Sequence, residues 1–312
     1  MESLRCRVIF AIDLGEDGIN LEFERLLRVL RTQKGLLESC IGGVLIDAVS
    51  PLYTKAEASR LVQAANDAGC AFPGKCLVEG AGDLSNFAVE AANRGVSREE
   101  AYCQCAAEMV QSVLERCFQK KTNANLLVLH ASSHRTSNTF ALWEKVRAKL
   151  PGEKFSIREI GLRNGFLQDC SGCPYKMCLH FGEKDSCFYG GVMVEDVYPA
   201  IREADAVLMV CPNYNDALSA NLVACINRLT ALYRAASFRD KALYSIIVSG
   251  YSGNDIIARQ LIGALNMNKG FYLPPRFALM ETANAPGEAL RIPGIDAQTA
   301  EFAERIRSFL TR

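Results

Sequence analysis

At 312 residues the chain is long enough for two domains of common size, each with its own core. Lysine plus arginine equal aspartate plus glutamate at 35 each, which removes the electrostatic argument for a nucleic acid or an anionic membrane as partner and leaves a small-molecule ligand as the better fit. Thirteen cysteines occur, yet the opening Met1-Glu2-Ser3-Leu4-Arg5-Cys6 shows no cationic stretch followed by an apolar core, and no apolar run is long enough to span a bilayer. A cytoplasmic protein is expected, with cysteine serving as buried thiol, metal or cluster ligand, or redox group rather than as a disulfide scaffold.

Arg7 to Ile12 is a β-branched apolar run ending at Asp13, and Phe23, Leu26, Leu27 and Leu30 follow at helical spacing, so a strand and then a helix are predicted. Gly42 to Asp47 reads as a second buried strand, and Thr54 to about Asp67 as a helix stopped by Gly69. Cys70 to Leu84, with Pro73, Gly74, Gly80 and Gly82, reads as a short strand set in loops. Ser97 with Glu100 forms a capping box for a long amphipathic helix reaching about Phe118. Polar Gln119 to Asn123 then separates an N-terminal α/β accessory domain, 1–120, from a second domain, 121–312. Gly80-Ala81-Gly82 lacks the third glycine and the following helix of a dinucleotide fold, so the first domain is assigned packing or assembly, and a homo-oligomer is expected.

The second half alternates more cleanly. Strands are predicted at Asn125–His130, Lys154–Ile160, Ala206–Val210 and Ala242–Val248, and helices at Asn138–Leu150, Ala220–Tyr233, Asp255–Met267 and Ala297–Phe309. That rhythm means an α/β fold with a mostly parallel sheet covered on both faces. Three loops then open on one sheet edge: Ser132 to Thr139, Pro212 to Ser219, and Ser249 to Gly253. The first gathers hydroxyls and helix-start N–H groups, as a phosphate cradle does, although an ordinary turn capped by Ser and Asn reads the same way. The second offers a rigid proline, two asparagines and a tyrosine to a flat heterocycle, and the glycines of the third permit close backbone approach.

These residues resemble the flavodoxin-like NAD(P)H-dependent FMN reductases. Their first loop, Gly-Ser-x-Arg-x-x-Ser/Gly-Asn-Thr, is matched at Ala131, Ser132, His134, Ser137, Asn138 and Thr139. Their Pro-x-Tyr loop is matched at Pro212 and Tyr214 with Ser219 beyond, and Asn227-Arg228 stands where Asp-Arg is usual. The resemblance covers roughly Leu126 to Leu310 and implies a C-terminal flavodoxin-like doubly wound parallel sheet preceded by a second α/β domain. It implies that Ser132, Ser137, Asn138 and Thr139 hold the FMN phosphate, with His134 in the place of the usual arginine. Pro212, Asn213, Tyr214 and Asn215, with Ser249, Gly250, Tyr251 and Gly253, would border the isoalloxazine. NAD(P)H as donor and a quinone, nitro compound or similar small molecule as acceptor follow from the same resemblance. A module that carries or senses electrons through FMN without turning over NAD(P)H is the alternative. Ala131 and His134 depart from the pattern, so phosphate affinity is expected to be weaker unless Arg135 substitutes.

Between the second-half strands runs Cys170-Ser171-Gly172-Cys173, followed by Cys178 and Cys187. Four thiolates suit an iron–sulfur cluster or a structural zinc, and the same residues also suit free thiols in a loop. The run resembles the Cys-x-x-Cys-x-x-Cys segment of the iron–sulfur flavoproteins, at longer spacing. That resemblance implies a [4Fe–4S] cluster held by Cys170, Cys173, Cys178 and Cys187. Cys103, Cys105 and Cys117 share one predicted helix and read as buried hydrophobes, Trp143 reads as core, and His130 as a local hydrogen-bonding group.

Overall fold

The structure is a computed structural model that describes residues 6–132, 136–165 and 167–312. The chain forms two units, one running to Cys117 and including Leu265–Arg276, the other comprising Phe118–Ala264 and Phe277–Arg312.

The first unit contains β1 (Arg7–Asp13), α1 (Leu21–Thr32), β2 (Ile41–Ala48), α2 (Thr54–Asp67), β3 (Leu77–Ala81), α3 (Ala88–Arg94) and α4 (Arg98–Glu115). Its sheet has the order β1-β2-β3, all parallel. Helix α1 starts where Asn20 accepts the Phe23 N–H at 3.0 Å, carries Glu22 and Glu24 in its first turn, and buries Phe23, Leu27 and Leu30 on one stripe. Helix α4 is capped by Ser97, whose hydroxyl accepts the Glu100 N–H at 3.1 Å. It lies close on β2 because Gly43 has no side chain: a Cβ there would sit 2.2 Å from the Met109 sulfur.

The expected 121–312 domain therefore loses Leu265–Arg276 to the first unit. Phe72 and Leu273 exchange backbone hydrogen bonds at 2.9 and 2.8 Å. Fully buried Asn266 donates to the carbonyls of Phe271, Pro73 and Phe72 at 2.7, 3.2 and 3.4 Å and accepts the Cys76 thiol at 3.0 Å. These ties are long-range, so the helical periodicity of 255–267 contained no sign of them.

The second unit contains β4 (Ala124–His130), α5 (Asn138–Arg147), β5 (Phe155–Gly161), α6 (Tyr175–Gly182), α7 (Tyr198–Glu203), β6 (Ala206–Pro212), α8 (Ala220–Tyr233), β7 (Ala242–Ser249), α9 (Asn254–Leu261), β8 (Ala278–Thr282) and α10 (Ile295–Leu310). The strand order is β5-β4-β6-β7-β8, all parallel, the flavodoxin-like doubly wound order. Strands β6 and β7 are buried at every position and sit centrally, whereas β5 alternates between buried and exposed positions as an edge strand does. One core cluster joins Phe140 and Trp143 of α5 and Phe302 and Ile306 of α10 to Val128, Leu208, Val210 and Ile246 of the sheet. The Trp143 indole N–H donates to Glu159 at 2.8 Å, which satisfies its polar edge. The sequence reading omitted α6, α7 and β8; the last is five residues long and follows Pro274-Pro275 closely. No helix among the described residues is long and apolar enough to cross a membrane.

Replacing Asn266 by alanine removes its bonds to the Phe271, Pro73 and Phe72 carbonyls and to the Cys76 thiol, although Phe72 O keeps the Leu273 N–H. The expected loss is about 2–3 kcal/mol, measured as a lowered urea midpoint for the transition that includes the first unit.

Candidate functional site

Strand order reverses between β4 and β6: the chain leaves β4 toward β5 on one side and returns to β6 on the other. The loops beyond these two strands diverge, and a cavity of about 610 Å³ opens between them at the carboxyl edge of the sheet. It is lined by Thr136, Ser137, Asn138 and Thr139; by Pro212, Asn213, Tyr214, Asn215 and Asp216; by Val248, Gly250, Tyr251 and Ser252; and by Ala283 and Asn284.

The first wall is the start of α5. Ser137 caps the helix, its hydroxyl accepting the Phe140 N–H at 3.2 Å, and Thr139 is buried beside it. Ser132, just beyond β4, has a buried hydroxyl with no hydrogen-bond partner among the described residues. His134 lies outside the described residues, as do Ser133 and Arg135. Asn138 faces the cavity but its amide is already engaged. It donates to Ala285 O at 2.9 Å and Ala283 O at 3.4 Å, and it accepts the Ala289 N–H at 3.3 Å. Its side chain thus ties α5 to the segment after β8.

The second wall is a tight turn. Tyr214 and Ala217 exchange backbone hydrogen bonds at 3.2 and 3.1 Å, with Asn215 and Asp216 both left-handed at φ 55° and 57°, the type I′ geometry that Asn and Asp tolerate best. Asn213 donates to Ser249 Oγ at 2.9 Å, Ser252 O at 3.1 Å and Asp216 Oδ1 at 3.3 Å, while its own Oδ1 is buried without a partner among the described residues. Tyr214 is 57% exposed.

Ser249 and Gly253, expected at the ligand, stand behind the cavity wall instead. Ser249 is fully buried and donates to Asn254 Oδ1 at 2.7 Å. Gly253 adopts φ 87°, and a Cβ there would lie 2.4 Å from Asp216 Oδ1 and 2.9 Å from Asn213 Nδ2, so glycine is what lets the second and third loops meet. Gly250 and Tyr251 do line the cavity, and the Tyr251 hydroxyl accepts from Asn284 at 3.3 Å. Ala283 and Asn284 form a fourth wall that the sequence reading missed along with β8. The apolar run Phe277-Ala278-Leu279-Met280 was its available signal.

No lysine or arginine lines the cavity among the described residues, so an anion there is held by helix-start N–H groups and hydroxyls. A flat heterocycle with a phosphate tail fits this site. The volume is that of a cofactor pocket, one end is the N-terminus of α5, and on its wall Asn213 Oδ1 is buried with no partner among the described residues.

Cys170, Cys173, Cys178 and Cys187 line a second, smaller cavity of about 150 Å³. The segment that carries them is docked on α8, which Gly182 approaches so closely that a Cβ would sit 2.4 Å from Ala231 O. The Arg234 Nε–H donates to Cys178 Sγ at 3.4 Å. The four thiols share one space, yet no three His, Cys, Asp or Glu side chains converge to hold a metal among the described residues. The donor chemistry suits a thiolate-ligated centre; the closed ligand set is not formed. Of the helical cysteines, Cys103 is exposed rather than buried. His130 is buried, its ring 4.9 Å from that of Phe140.

Residues 124–285 match the family of NADPH-dependent FMN reductases. An iron–sulfur flavoprotein of Archaeoglobus fulgidus is 27% identical over 141 residues, 43% of this chain and 67% of that protein. Among solved structures, an NAD(P)H:quinone oxidoreductase from Methanothermobacter marburgensis is similar with a TM-score of 0.46 and 14% identity, covering 59% of this chain and 100% of that one. An azoreductase from Bacillus anthracis has a TM-score of 0.40 and 16% identity, covering 59% and 98%.

Asn138→Ala should destabilise the second unit by about 2 kcal/mol by removing its bonds to Ala283 O, Ala285 O and the Ala289 N–H, read as a lower thermal midpoint without added ligand. The fourth wall is pH-sensitive. Glu288 accepts the Ala285 and Asn284 N–H groups at 2.7 and 2.6 Å, and these hold its carboxyl below the usual range. A depressed folded value means the tie is complete above the ordinary glutamate value of about 4.3 and is lost as pH falls through the lower folded one. Protection of the Asn284 and Ala285 amides from hydrogen exchange should follow that sign, and its pH dependence should be lost in Glu288→Gln, whose amide oxygen accepts without titrating.

Proposed function

The chain belongs to the NADPH-dependent FMN reductase family, whose match spans residues 124–285, and from that premise we propose an FMN-dependent oxidoreductase that takes hydride from NADPH or NADH. Electrons pass to a small acceptor such as a quinone or nitro compound. The observation that carries the reading is the polar cavity at the β4/β6 reversal, with Ser132 Oγ and Asn213 Oδ1 buried and unpartnered among the described residues. In this reading the first unit, residues up to Cys117 with Leu265–Arg276, is an accessory unit, and the protein works in the cytoplasm as a homo-oligomer.

When bound, FMN supplies the hydride and electron chemistry. The chain's own residues bind and orient it. The N–H groups opening α5, with the hydroxyls of Ser137 and Thr139 on the cavity wall, would hold the phosphate end, and Ser132 just beyond β4 would support it. Pro212 to Asn215 and Gly250-Tyr251 border the ring, where Asn213 Oδ1 is an acceptor suited to a ring N–H. Asn138, Ser249 and Gly253 hold these walls in place from behind. The open face beside exposed Tyr214 and Tyr251 is where donor and acceptor reach the ring in turn.

An iron–sulfur cluster in the cysteine cavity is a second, finer reading. It is supported by four thiols on one cavity and by the likeness to the iron–sulfur flavoprotein of Archaeoglobus fulgidus.

Anaerobic reconstitution should give about one FMN per chain, and the flavin absorbance should bleach on adding NADPH or NADH. A protein that retains no FMN sinks the reading; one that retains FMN but is bleached only by a protein donor is an electron carrier instead. Ser132→Ala should weaken FMN by roughly tenfold, the worth of one hydrogen bond to a charged group, measured by fluorescence titration.

A further inference from the structure

Cys6, Cys40 and Cys70 form a row across the amino-terminal edge of the first unit's sheet. The Ile41 N–H donates to Cys6 O at 2.9 Å, one residue before the Arg7–Ile41 pair, which sets Cys6 beside Cys40. The Ala71 N–H donates to Cys40 O at 2.9 Å, and Ile41 bridges in parallel to Ala71, which sets Cys70 on the other side. Side chains in register on neighbouring parallel strands leave the same face. Such strands lie about 4.8 Å apart, within the ~4.4–6.8 Å that separates the Cα atoms of a disulfide.

The three thiols are not equivalent. Cys70 is fully buried; its thiol donates to Ala71 O at 3.4 Å, and its sulfur lies over Gly42, where a Cβ would sit 2.9 Å away. Cys40 is 5% exposed, and its thiol is hydrogen-bonded to that of Cys6. Burial, and then the Cys6 neighbour, pushes the Cys40 thiol up to about 12, so on its own it is a poor nucleophile. Cys6 is exposed. One thiol open to solvent and in contact with a buried second one is the arrangement of an attacking and a resolving cysteine.

We infer that Cys6 is a site of thiol–disulfide exchange with low-molecular-weight disulfides and that Cys40 resolves the adduct into a Cys6–Cys40 cross-link. The Cys6 sulfur attacks one sulfur of the small disulfide. Its S–S bond breaks, one half leaves as a small thiol carrying the Cys6 proton, and Cys6 keeps the other half as a mixed disulfide. The Cys40 sulfur then displaces that half, which leaves as a second small thiol with the Cys40 proton. Two protein thiols are oxidised, and one disulfide is reduced to two thiols. The cross-link fastens the residue before β1 to the residue before β2 and encloses α1 in the loop, which constrains the unfolded chain. Because Cys6 is exposed, an external thiol can reach its sulfur and reverse the step. The site uses no residue of the crevice and stands apart from the flavin reading.

The test incubates the full chain with oxidised glutathione, blocks remaining thiols with iodoacetamide in denaturant and cleaves after acidic residues. Cys6, between Glu2 and Asp13, and Cys40, between Glu38 and Asp47, then fall on separate peptides. Wild type should yield these peptides joined, lighter by two hydrogens than their sum and released by dithiothreitol. The oxidised protein should also show a higher urea midpoint for the transition that includes the first unit. Cys40→Ala should stop at glutathione on Cys6 with no cross-link, and Cys6→Ser should leave Cys40 with neither glutathione nor a partner. Circular dichroism reports whether each variant folds. Should Cys40→Ala not fold, Cys6→Ser, at an exposed position, still decides, since a Cys40 that is oxidised equally without Cys6 overturns the inference. Wild type that stays fully reduced, keeps glutathione on Cys6 without a cross-link, or joins Cys40 to Cys70 instead overturns it as well.

Discussion

The second unit depends on the burial of β6 along its whole length. Ala206 to Pro212 pairs in parallel with β4 on one side and with β7 on the other, and all seven positions are buried. Parallel neighbours require a crossover between them, so the chain builds β5 outside β4 before it can return to form β6. That detour parts the loops of β4 and β6 and creates the crevice. A helix start, a left-handed turn and a glycine-bearing loop then meet at one sheet edge for the same reason that β6 is apolar on both faces.

Polar groups around the crevice divide into those the protein satisfies and those it does not. Asn138, Ser249, Asn254 and Gln260 are saturated by neighbouring loops: Gln260 accepts the Leu218 N–H at 3.0 Å and donates to Asp216 O at 3.1 Å. These bonds give a net of about 1 kcal/mol each, and a larger penalty follows when one partner of a buried pair is removed. They set the walls before any ligand arrives. Ser132 Oγ, Asn213 Oδ1 and Ser219 Oγ are buried without a partner among the described residues, on the loops that leave β4 and β6. A rigid frame with a few unpaired polar atoms favours binding because little ordering is left to the ligand.

Helix α8 connects this crevice with the cysteine cavity. Its N-terminus follows the Pro212 loop, and its second half carries Asn227, Arg228 and Arg234 or leads directly into them. The cysteine excursion has little regular structure beyond α6, and its ends are held by side chains of α8 rather than by a sheet. A segment anchored this way takes its geometry from the helix, so the thiols and the crevice walls share one support within the second unit.

Much of the site was legible because its signals are local. Ser137 caps α5 through a residue three positions on, α8 and α2 show apolar periodicity, and β6 and β7 are unbroken apolar runs. With the Ser132–Thr139 and Pro212–Tyr214 patterns, these were enough to place two walls of the crevice and the family resemblance. What escaped depends on partners far along the chain. Asn138 reads as a ligand donor until Ala283, 145 residues away, is found beneath its amide. Leu265–Arg276 has the composition of the second half, and long-range hydrogen bonds such as those of Asn266 to Phe72 and Pro73 and of Leu273 to Phe72 assign it to the first. Arg228 reads as a family signature; its burial, and an Nε with no partner among the described residues, exist only once Gln168 and Gly190 close over it. Sequence by itself determined the elements, because periodicity and capping act within a turn or two. Tertiary structure alone decided which polar groups are satisfied and which are left for a ligand, because a hydrogen bond is chosen by what lies within about 3 Å in space.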